Sequence, residues 1–240
     1  EKLVKYGMGD VLLYVGENLS YENEKIFVKP ASELTEYKGD PLSVICAVNE
    51  NAGTRLETHG IRDEEFIRGK APMTKEEVRT VSLSKLRLTA DSVCYDVGAG
   101  TGSLSIEMAL RAHQGQVWAI EKKEDAVELI HRNKVKFAAD NLEIVEGLAP
   151  EALKDLPAPT HAFIGGSTGQ LKEIIQCIKK KNPDVRIVIN AISLETVKEA
   201  MEAMEEGLLA DPEIIQLNVA KSKKLGRYHM MTGLNPIYII

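Results

Sequence analysis

The sequence has few residues that could form disulfides or bind a metal. It contains three cysteines and five histidines. The cysteines, Cys46, Cys94 and Cys177, are far apart in the chain, and none belongs to a Cys-x-x-Cys pair. This spacing excludes a disulfide framework and indicates no zinc site, so we expect no metal. Free cysteines fit a reducing compartment, and we expect a cytoplasmic protein.

Long apolar runs and an excess of positive charge are also missing. No stretch approaches the roughly 20 consecutive apolar residues of a transmembrane helix, and no signal peptide is visible. Lys plus Arg number 30 and Asp plus Glu 36, which gives a net charge of −6. An acidic chain has no general electrostatic attraction to nucleic acid. We therefore predict neither a membrane nor a nucleic-acid partner.

The pattern of apolar and turn-forming residues changes along the sequence. Its 240 residues suffice for one good-sized domain with an appendage. Residues 1–50 hold short strand-like runs between turn-rich stretches, which predict a small α+β unit that would be marginal alone. Residues 51–59 predict a linker, and residues 60–240 predict a second domain. The chain begins "EKLVKYGMGD", without an initiator Met, and we expect it to be a piece of a longer protein.

From about residue 90, strand-like and helix-like patterns alternate. The strand-like runs are "SVCYDVG", "QVWAIE", "LEIVEG", "HAFIGG" and "VRIVINA". Each is followed by a helical pattern, which is short around residues 150–156. The alternation predicts an α/β fold with a Rossmann-like, doubly wound parallel sheet covered on both faces. The final runs, "EIIQLNVAKS" and "HMMTGLNPIYII", have no helix between them and predict an antiparallel hairpin that closes the sheet edge.

A glycine-rich turn follows the first of these strands, in "VCYDVGAGTGSLS". Gly98, Gly100 and Gly102 have the spacing G-x-G-x-G, whereas a dinucleotide site has G-x-G-x-x-G and a phosphate loop ends in Gly-Lys-Ser/Thr. Glycines permit unusual dihedral angles and the close approach of a ligand. The first N–H groups of the next helix favour a ligand carboxylate. The turn therefore predicts a nucleotide-type site at the carboxyl ends of the strands.

An acidic residue ends the next strand. Glu121 closes "QVWAIE" and is placed to accept both hydroxyls of a ribose. Leu148 and Ala149 follow the third strand, where they could flank an adenine ring. The alternative is a glycine turn that serves only tight packing, and Glu121 weighs against it. Asp96, two residues before the first glycine, is either a ligand contact or a residue that organises the loop.

The G-x-G-x-G turn, with Asp96 before it and Glu121 on the next strand, resembles the class I S-adenosylmethionine-dependent methyltransferases. A more specific resemblance covers residues 60–240. The segment "GIRDEEFIRGKAPMTKEEVR" precedes the turn, and "EGLAPEAL", "FIGGSTGQL", "INAISLET" and "NPIYII" follow it. This order is similar to the decarboxylating precorrin-6B C15-methyltransferase family of cobalamin biosynthesis.

Residues 1–50 carry a resemblance of their own. Their segments "YVGENLSYENEKIFVKPASEL" and "DPLSVICAVN" are similar to the end of the precorrin-6Y C5-methyltransferase domain. Some organisms fuse that domain ahead of the decarboxylating one. The resemblance implies that the chain is the back part of a bifunctional C5,C15-methyltransferase and that it does not methylate C5.

The resemblance implies S-adenosyl-L-methionine as the cofactor and methylation of precorrin-6B, or its cobalt form, at C15, with loss of the C12 acetate arm as carbon dioxide. It also implies a homotetramer. At Leu148 related enzymes often carry Asp, so a hydrogen bond to adenine is missing there. We assign no catalytic residue, because this transfer depends on placement and exclusion of water. The implied cofactor contacts are Thr74, Gly98, Ala99, Gly100, Thr101, Gly102, Glu121 and Ala149.

A tetrapyrrole substrate carries many carboxylates, which positive side chains and the loop after the fourth strand would bind. Arginine matches carboxylates bidentately. The alternative for the basic residues is structural, since lysines on an edge hairpin oppose aggregation and helical ion pairs need no substrate. The expected substrate contacts are Arg68, Arg79, Gly165, Gly166, Ser167 and Arg227.

Two other functions stay open at this point. A class I methyltransferase acting on tRNA or on protein carboxylates would have the same turn and the same acid, and salt-dependent RNA binding would favour it. A non-catalytic scaffold that binds S-adenosylmethionine would bind the cofactor tightly without turnover.

Overall fold

A computed structural model of the chain describes residues 1–50 and 58–240. It divides into two compact units, Glu1–Glu57 and Thr58–Ile240. Most of the predicted linker, residues 51–57, lies outside the described residues.

The first unit is a small antiparallel sheet with little helix. Its elements are α1 (Lys2–Lys5), β1 (Leu12–Glu17), β2 (Lys25–Pro30) and β3 (Ser43–Val48), with a 3-10 turn at Ala31–Leu34. The central strand β1 pairs with both neighbours, so that Tyr14 lies opposite Val28 and Cys46. Every residue of β3 is exposed. The sheet therefore leaves a broad apolar face uncovered within this unit.

The second unit alternates strands and helices as predicted. Its helices are α2 (Glu76–Leu86), α3 (Ser103–Arg111), α4 (Glu124–Lys136), α5 (Leu171–Lys181) and α6 (Leu194–Glu205). Its first five strands are β4 (Val93–Val97), β5 (Gln116–Glu121), β6 (Leu142–Glu146), β7 (His161–Ile164) and β8 (Arg186–Ala191). The remaining strands are β9 (Ile215–Leu217), β10 (Ala220–Leu225), β11 (Tyr228–Gly233) and β12 (Ile237–Ile239).

Seven strands form one sheet in the order β6-β5-β4-β7-β8-β12-β9. Strands β4 to β8 are parallel, and β12 runs antiparallel to β8 and β9. Consecutive residues of β4 face opposite sides of this sheet. Cys94 packs in a core with α2, α3 and α4, whereas Tyr95 packs in a second core with α5 and α6. Covered on both faces, the sheet has the doubly wound arrangement that the alternation predicts.

The end of the chain confirms the predicted antiparallel closure of the sheet edge, in which β9 of the first run pairs with β12 of the second, but the two strands are not joined by a simple hairpin turn. An antiparallel hairpin is present, but it is formed by β10 and β11 and stands apart from the large sheet. The strands that complete the sheet are β9 and β12, which flank the hairpin in sequence. The run "HMMTGLNPIYII" thus contains two strands, because Leu234–Pro236 interrupts it. The short helix expected around residues 150–156 is likewise only a 3-10 turn at Glu151–Leu153.

Candidate functional site

A cleft opens at the carboxyl ends of the parallel strands, entirely within the second unit. Its volume is about 550 Å³, which lies in the range of small-molecule sites. Its walls come from the segment before α2, the loops after the five parallel strands and the segment before β12. The predicted residues that line it are Thr74, Gly98, Ala99, Gly100, Glu121, Leu148, Ala149, Gly165 and Gly166.

The three glycines of the turn all have left-handed backbone, with φ angles of +77° at Gly98, +57° at Gly100 and +74° at Gly102. The protein's own chain also approaches them closely. A Cβ at Gly98 would lie 2.9 Å from the backbone nitrogen of Gly166, and one at Gly100 would lie 2.4 Å from the carbonyl oxygen of Pro72. The glycines are therefore needed to bring three loops together, whether or not a ligand is bound.

The backbone amides of the turn are all used within the protein. Those of Gly98 and Ala99 donate to the carbonyl of Ile120, at 3.0 and 3.1 Å, and that of Gly102 donates to Ala99. Thr101 donates to Pro72 at 3.2 Å, and its side chain is fully buried. The amides of residues 98–102 are thus all occupied within the protein, whereas the predicted carboxylate contact concerns the first N–H groups of α3 and stays a prediction. Thr101 and Gly102 do not line the cleft and instead support the turn.

Glu121 lies at the tip of β5, where its side chain connects the turn to the next loop. Its Oε2 accepts from the amide of Gly100 at 2.9 Å. Its Oε1 accepts from the amides of Lys122 and Lys123, at 2.9 and 3.0 Å. These bonds hold the carboxylate at the wall of the cleft. A carboxylate has about four acceptor positions, so Oε2 retains capacity for a ligand hydroxyl.

Asp96 lies beneath the turn rather than in the cleft. Its Oδ2 accepts a short hydrogen bond from the Ser105 hydroxyl of α3, and its Oδ1 has no partner among the described residues. Complete burial raises the pKa of Asp96 to about 7; the Ser105 hydrogen bond opposes this, and the charge of Glu121 adds to it. Of the two roles that the sequence leaves open, this position supports organisation of the loop.

Arg79 corrects another prediction, because its guanidinium is fully buried and does not reach the cleft. It forms ion pairs with Glu107 at 2.6 Å and Asp63 at 3.3 Å. It also donates to the carbonyl of Thr74 at 2.6 Å and to that of Ile61. With no exposed surface and every direction occupied, Arg79 cannot meet a substrate carboxylate. It holds the segment that carries Thr74.

Of the other predicted substrate residues, Gly165 and Gly166 line the cleft, whereas Arg68, Ser167 and Arg227 lie outside its lining. Arg68 is exposed, and Arg227 is exposed on the β10–β11 hairpin, with its guanidinium 5.0 Å from the centre of the Tyr228 ring. Ser167 is buried beside the two glycines that do line the cleft. The positive charges that line the cleft are lysines instead: Lys75, Lys122 and Lys123.

Asn190 is a cleft residue that sequence reasoning missed. It lies near the end of β8, is 7% exposed, and lines the cleft. A signal was present, because an asparagine near the end of the apolar run "VRIVINA" parallels Glu121 at the end of "QVWAIE". Polar residues at the carboxyl ends of parallel strands point to a ligand in this architecture.

Among residues 1–50 and 58–240, no helix combines the length and apolar composition needed to cross a membrane. The same residues hold no group of three His, Cys, Asp or Glu side chains arranged to bind a metal.

Comparisons with known proteins match the second unit. The precorrin methyltransferase domain profile matches residues 65–240. A relative in Pyrobaculum calidifontis, named "Probable cobalt-precorrin-6B C(15)-methyltransferase (decarboxylating)", is 46% identical over 186 residues, 76% of this chain and 95% of the relative.

Two solved structures are also similar. Precorrin-6Y C5,15-methyltransferase from Geobacter metallireducens is 43% identical with a TM-score of 0.70, and the match covers 75% of this chain and 96% of that one. Precorrin 8W decarboxylase from Methanobacterium thermoautotrophicum is 38% identical with a TM-score of 0.70, and the match covers 75% and 97%.

Proposed function

The chain belongs to the precorrin methyltransferase family, whose class I methyltransferase fold it shares, and on that premise we propose its reaction. It transfers a methyl group from S-adenosyl-L-methionine to C15 of precorrin-6B or cobalt-precorrin-6B. The C12 acetate arm leaves as carbon dioxide. The reaction belongs to cobalamin biosynthesis. The proposal is supported by the activities for which two relatives, at 46% and 38% identity, are named.

The cleft fits this cofactor in shape and in chemistry. Its volume of about 550 Å³ suits a nucleoside with an amino-acid tail. Glu121 would accept from the ribose hydroxyls, and Leu148, which is 38% exposed, would lie beside the adenine together with Ala149. Gly98 and Gly100 would present backbone without side chains to the rest of the cofactor. When bound, the cofactor supplies an electrophilic methyl group.

The chain's own contribution to this reaction is placement. Holding the two reactants in the correct orientation can lower the activation barrier by roughly 7–11 kcal/mol. The tetrapyrrole itself supplies the electron pair that attacks the methyl group. Gly165 and Gly166 line the cleft beside the turn and carry no side chains that would project into it. Lysines at the cleft would attract its carboxylates. Arg68 and Arg227 remain proposed contacts for carboxylate arms that extend beyond the cleft.

One observation carries the proposal: the glycine turn and Glu121 meet in a single cleft in a chain of this family. The test is mass spectrometry of precorrin-6B incubated with the protein and S-adenosylmethionine. We expect the gain of one methyl group and the loss of one carbon dioxide. Methyl gain without decarboxylation, or no reaction, would contradict the proposal.

A matched pair of variants tests the cofactor site separately. Glu121→Gln removes the charge that orients the ribose and should weaken adenosylhomocysteine binding, measured by calorimetry, about tenfold. Glu146 is the register partner of Glu121 on β6 but is exposed and outside the cleft lining, so Glu146→Gln should leave binding unchanged. Binding of NAD in place of adenosylhomocysteine would refute the cofactor assignment.

We also propose that the protein is a homo-oligomer, a tetramer, with the β10–β11 hairpin as a contact. Every residue of both strands is exposed, including Leu225, Met230 and Met231. A two-stranded hairpin is marginal by itself, and a second copy would cover its apolar side chains. Light scattering should return four times the chain mass of 26.5 kDa, and a monomeric mass would refute this assembly.

For the first unit we propose that residues 1–50 are the end of a tetrapyrrole C5-methyltransferase domain, with residues 60–240 forming the C15 enzyme. The support is the uncovered apolar face of its sheet, where Ile26 and Val44 are 68% and 64% exposed. Such a face is typical of a piece whose packing partner is another part of the same domain.

A further inference from the structure

The residues that line the cleft divide into a charged half and an uncharged half. The charged side chains lie before α2 and around the end of β5: Lys75, Glu121, Lys122 and Lys123. No described lining residue after position 164 carries a charge. This second group lies at the ends of β7 and β8 and at the start of β12, and its largest side chains are Ile192, Leu234 and Ile237. One half of the cleft therefore presents apolar surface.

Ile192 is the most exposed apolar side chain of the uncharged half, with 67% of its surface accessible. A single exposed isoleucine is common on protein surfaces, but this one lies in the wall of a ligand-sized cleft. Leu234 in the same half is exposed as well. Apolar surface of this kind gains free energy when a ligand with an apolar face covers it.

The chain on both sides of Ile192 fixes its position. Ala191, before it, is buried at the end of β8 and pairs with Tyr238 of β12. Ser193, after it, is the N-cap of α6, and its Oγ accepts from the amide of Thr196 at 3.2 Å. A β-branched side chain has few rotamers. Ile192 therefore loses little conformational entropy when a ligand packs on it.

Ile192 also lies away from the proposed cofactor contacts. The glycine turn follows β4, and Glu121 and Leu148 lie at the ends of β5 and β6 on one side of it. Strand β8, which Ile192 follows, is two strands from β4 on the other side. Neighbouring strands are about 4.8 Å apart, so the ends of β4 and β8 are roughly 10 Å apart. A cofactor that extends from the turn toward β6 leaves this half of the cleft to the methyl acceptor.

We propose that Ile192 packs against the apolar face of the tetrapyrrole macrocycle, the methyl acceptor of the proposed function on which this inference rests. The macrocycle is flat and largely apolar, and its carboxylates are confined to its side arms. The ring would cover Ile192 and Leu234, and the lysines of the charged half are available to the arms. Ile192 is then a substrate-binding residue that selects an acceptor with an apolar face.

The test compares the same substitution at two exposed apolar residues. Ile192→Ser removes the apolar surface in the cleft, and with saturating S-adenosylmethionine it should raise KM for precorrin-6B about tenfold. Leu194→Ser is the control, because Leu194 is 74% exposed but lies outside the cleft lining. Its KM should stay within about twofold of wild type. Ile192→Val keeps most of the apolar surface, and its KM should also stay within about twofold.

Three further readouts separate substrate packing from other roles. The kcat of Ile192→Ser should stay near that of the wild type, because contact with a part of the substrate that does not react affects binding rather than the chemical step. Its adenosylhomocysteine Kd should be unchanged within about twofold. Its melting temperature should stay within about 2 °C of wild type, since an exposed side chain is replaced. Its mass by light scattering should equal that of the wild type.

Several results would overturn the inference. One is an unchanged KM in Ile192→Ser, and another is an equal rise of KM in Leu194→Ser. A lower mass of Ile192→Ser would show that a second copy of the chain covers this surface instead, and an equal loss of adenosylhomocysteine affinity would place Ile192 in the cofactor site. An inactive wild-type protein that still binds adenosylhomocysteine would refute the proposed reaction itself, so the two failures are distinguishable.

Discussion

Gly100 has two separate reasons to be glycine. Its φ of +57° is unfavourable for residues with a side chain, and the carbonyl of Pro72 occupies the place of a Cβ. The alternating glycines were predictable as a ligand turn from their spacing. Their contact with Pro72 was not, because it joins segments that lie far apart in the sequence.

Gly100→Ala should therefore destabilise the protein more than a left-handed conformation alone explains. Gly207 is a matched control, since its φ is +72° and nothing lies within 4 Å of its Cβ position. We expect Gly207→Ala to lower the free energy of unfolding by about 1 kcal/mol. Gly100→Ala should lower it by about 1–3 kcal/mol more, because of overpacking. Urea denaturation measures both. Equal losses of unfolding free energy in the two variants would show that the chain near Pro72 moves aside without a measurable loss of stability.

Asp96 makes the stability of the protein depend on pH. Its folded pKa of about 7 lies above the ordinary value near 4. Between these values the folded state therefore holds more protons than the unfolded state. The contribution of Asp96 to stability is complete below about pH 4 and is lost as the pH rises to about 7, with an upper limit on the order of 4 kcal/mol.

Asp96→Asn removes this titration while keeping the shape. Between pH 5 and pH 8 the free energy of unfolding of the variant should rise relative to that of the wild type, because only the wild type loses the contribution of Asp96. The titrations of the other groups cancel in this difference. Denaturant titrations at the two pH values measure it. A difference independent of pH would show that Asp96 stays ionised in the fold.

At the scale of elements, Arg79 connects α2 to α3 and to the segment that enters the cleft. Its partners Asp63 and Glu107 are both buried, and Glu107 also accepts from the amides of Gly60 and Ile61. An arginine that follows two glutamates in the sequence gives the same local pattern whether it is exposed or buried. Only the packing of α2 on α3 shows that Arg79 is internal.

Arg79→Met should cost about 3–5 kcal/mol of stability, because it leaves buried carboxylates without a countercharge. It should also weaken adenosylhomocysteine binding, since the carbonyl of Thr74 loses its donor. Arg68→Met is the control, an exposed arginine whose loss should change stability by less than about 0.5 kcal/mol. Adding Glu107→Gln and Asp63→Asn to Arg79→Met should recover stability; no recovery would argue against charge burial as the cause.

At the scale of the whole molecule, every described residue of the cleft lining belongs to Thr58–Ile240. The second unit also has two cores of its own, one on each face of its sheet. It therefore contains what a domain needs to fold independently.

A chain that begins at Thr58 should retain the melting temperature and adenosylhomocysteine affinity of the full protein. Calorimetry of both chains measures the two quantities, and we expect the Kd to agree within about twofold. Aggregation of the shorter chain, or loss of binding, would show that the first unit stabilises the second.

Local patterns were sufficient for much of this protein. Alternating apolar runs predicted the parallel strands, and the turn with Glu121 predicted the cleft, because a parallel sheet places successive strand ends at one edge. The place of β12 between β8 and β9, the burial of Arg79 and the contact between Asn190 and Ser82 depend on segments that are distant in sequence. A pattern of residue types carries no information on which distant segment will occupy a neighbouring position, and long-range packing alone settles that.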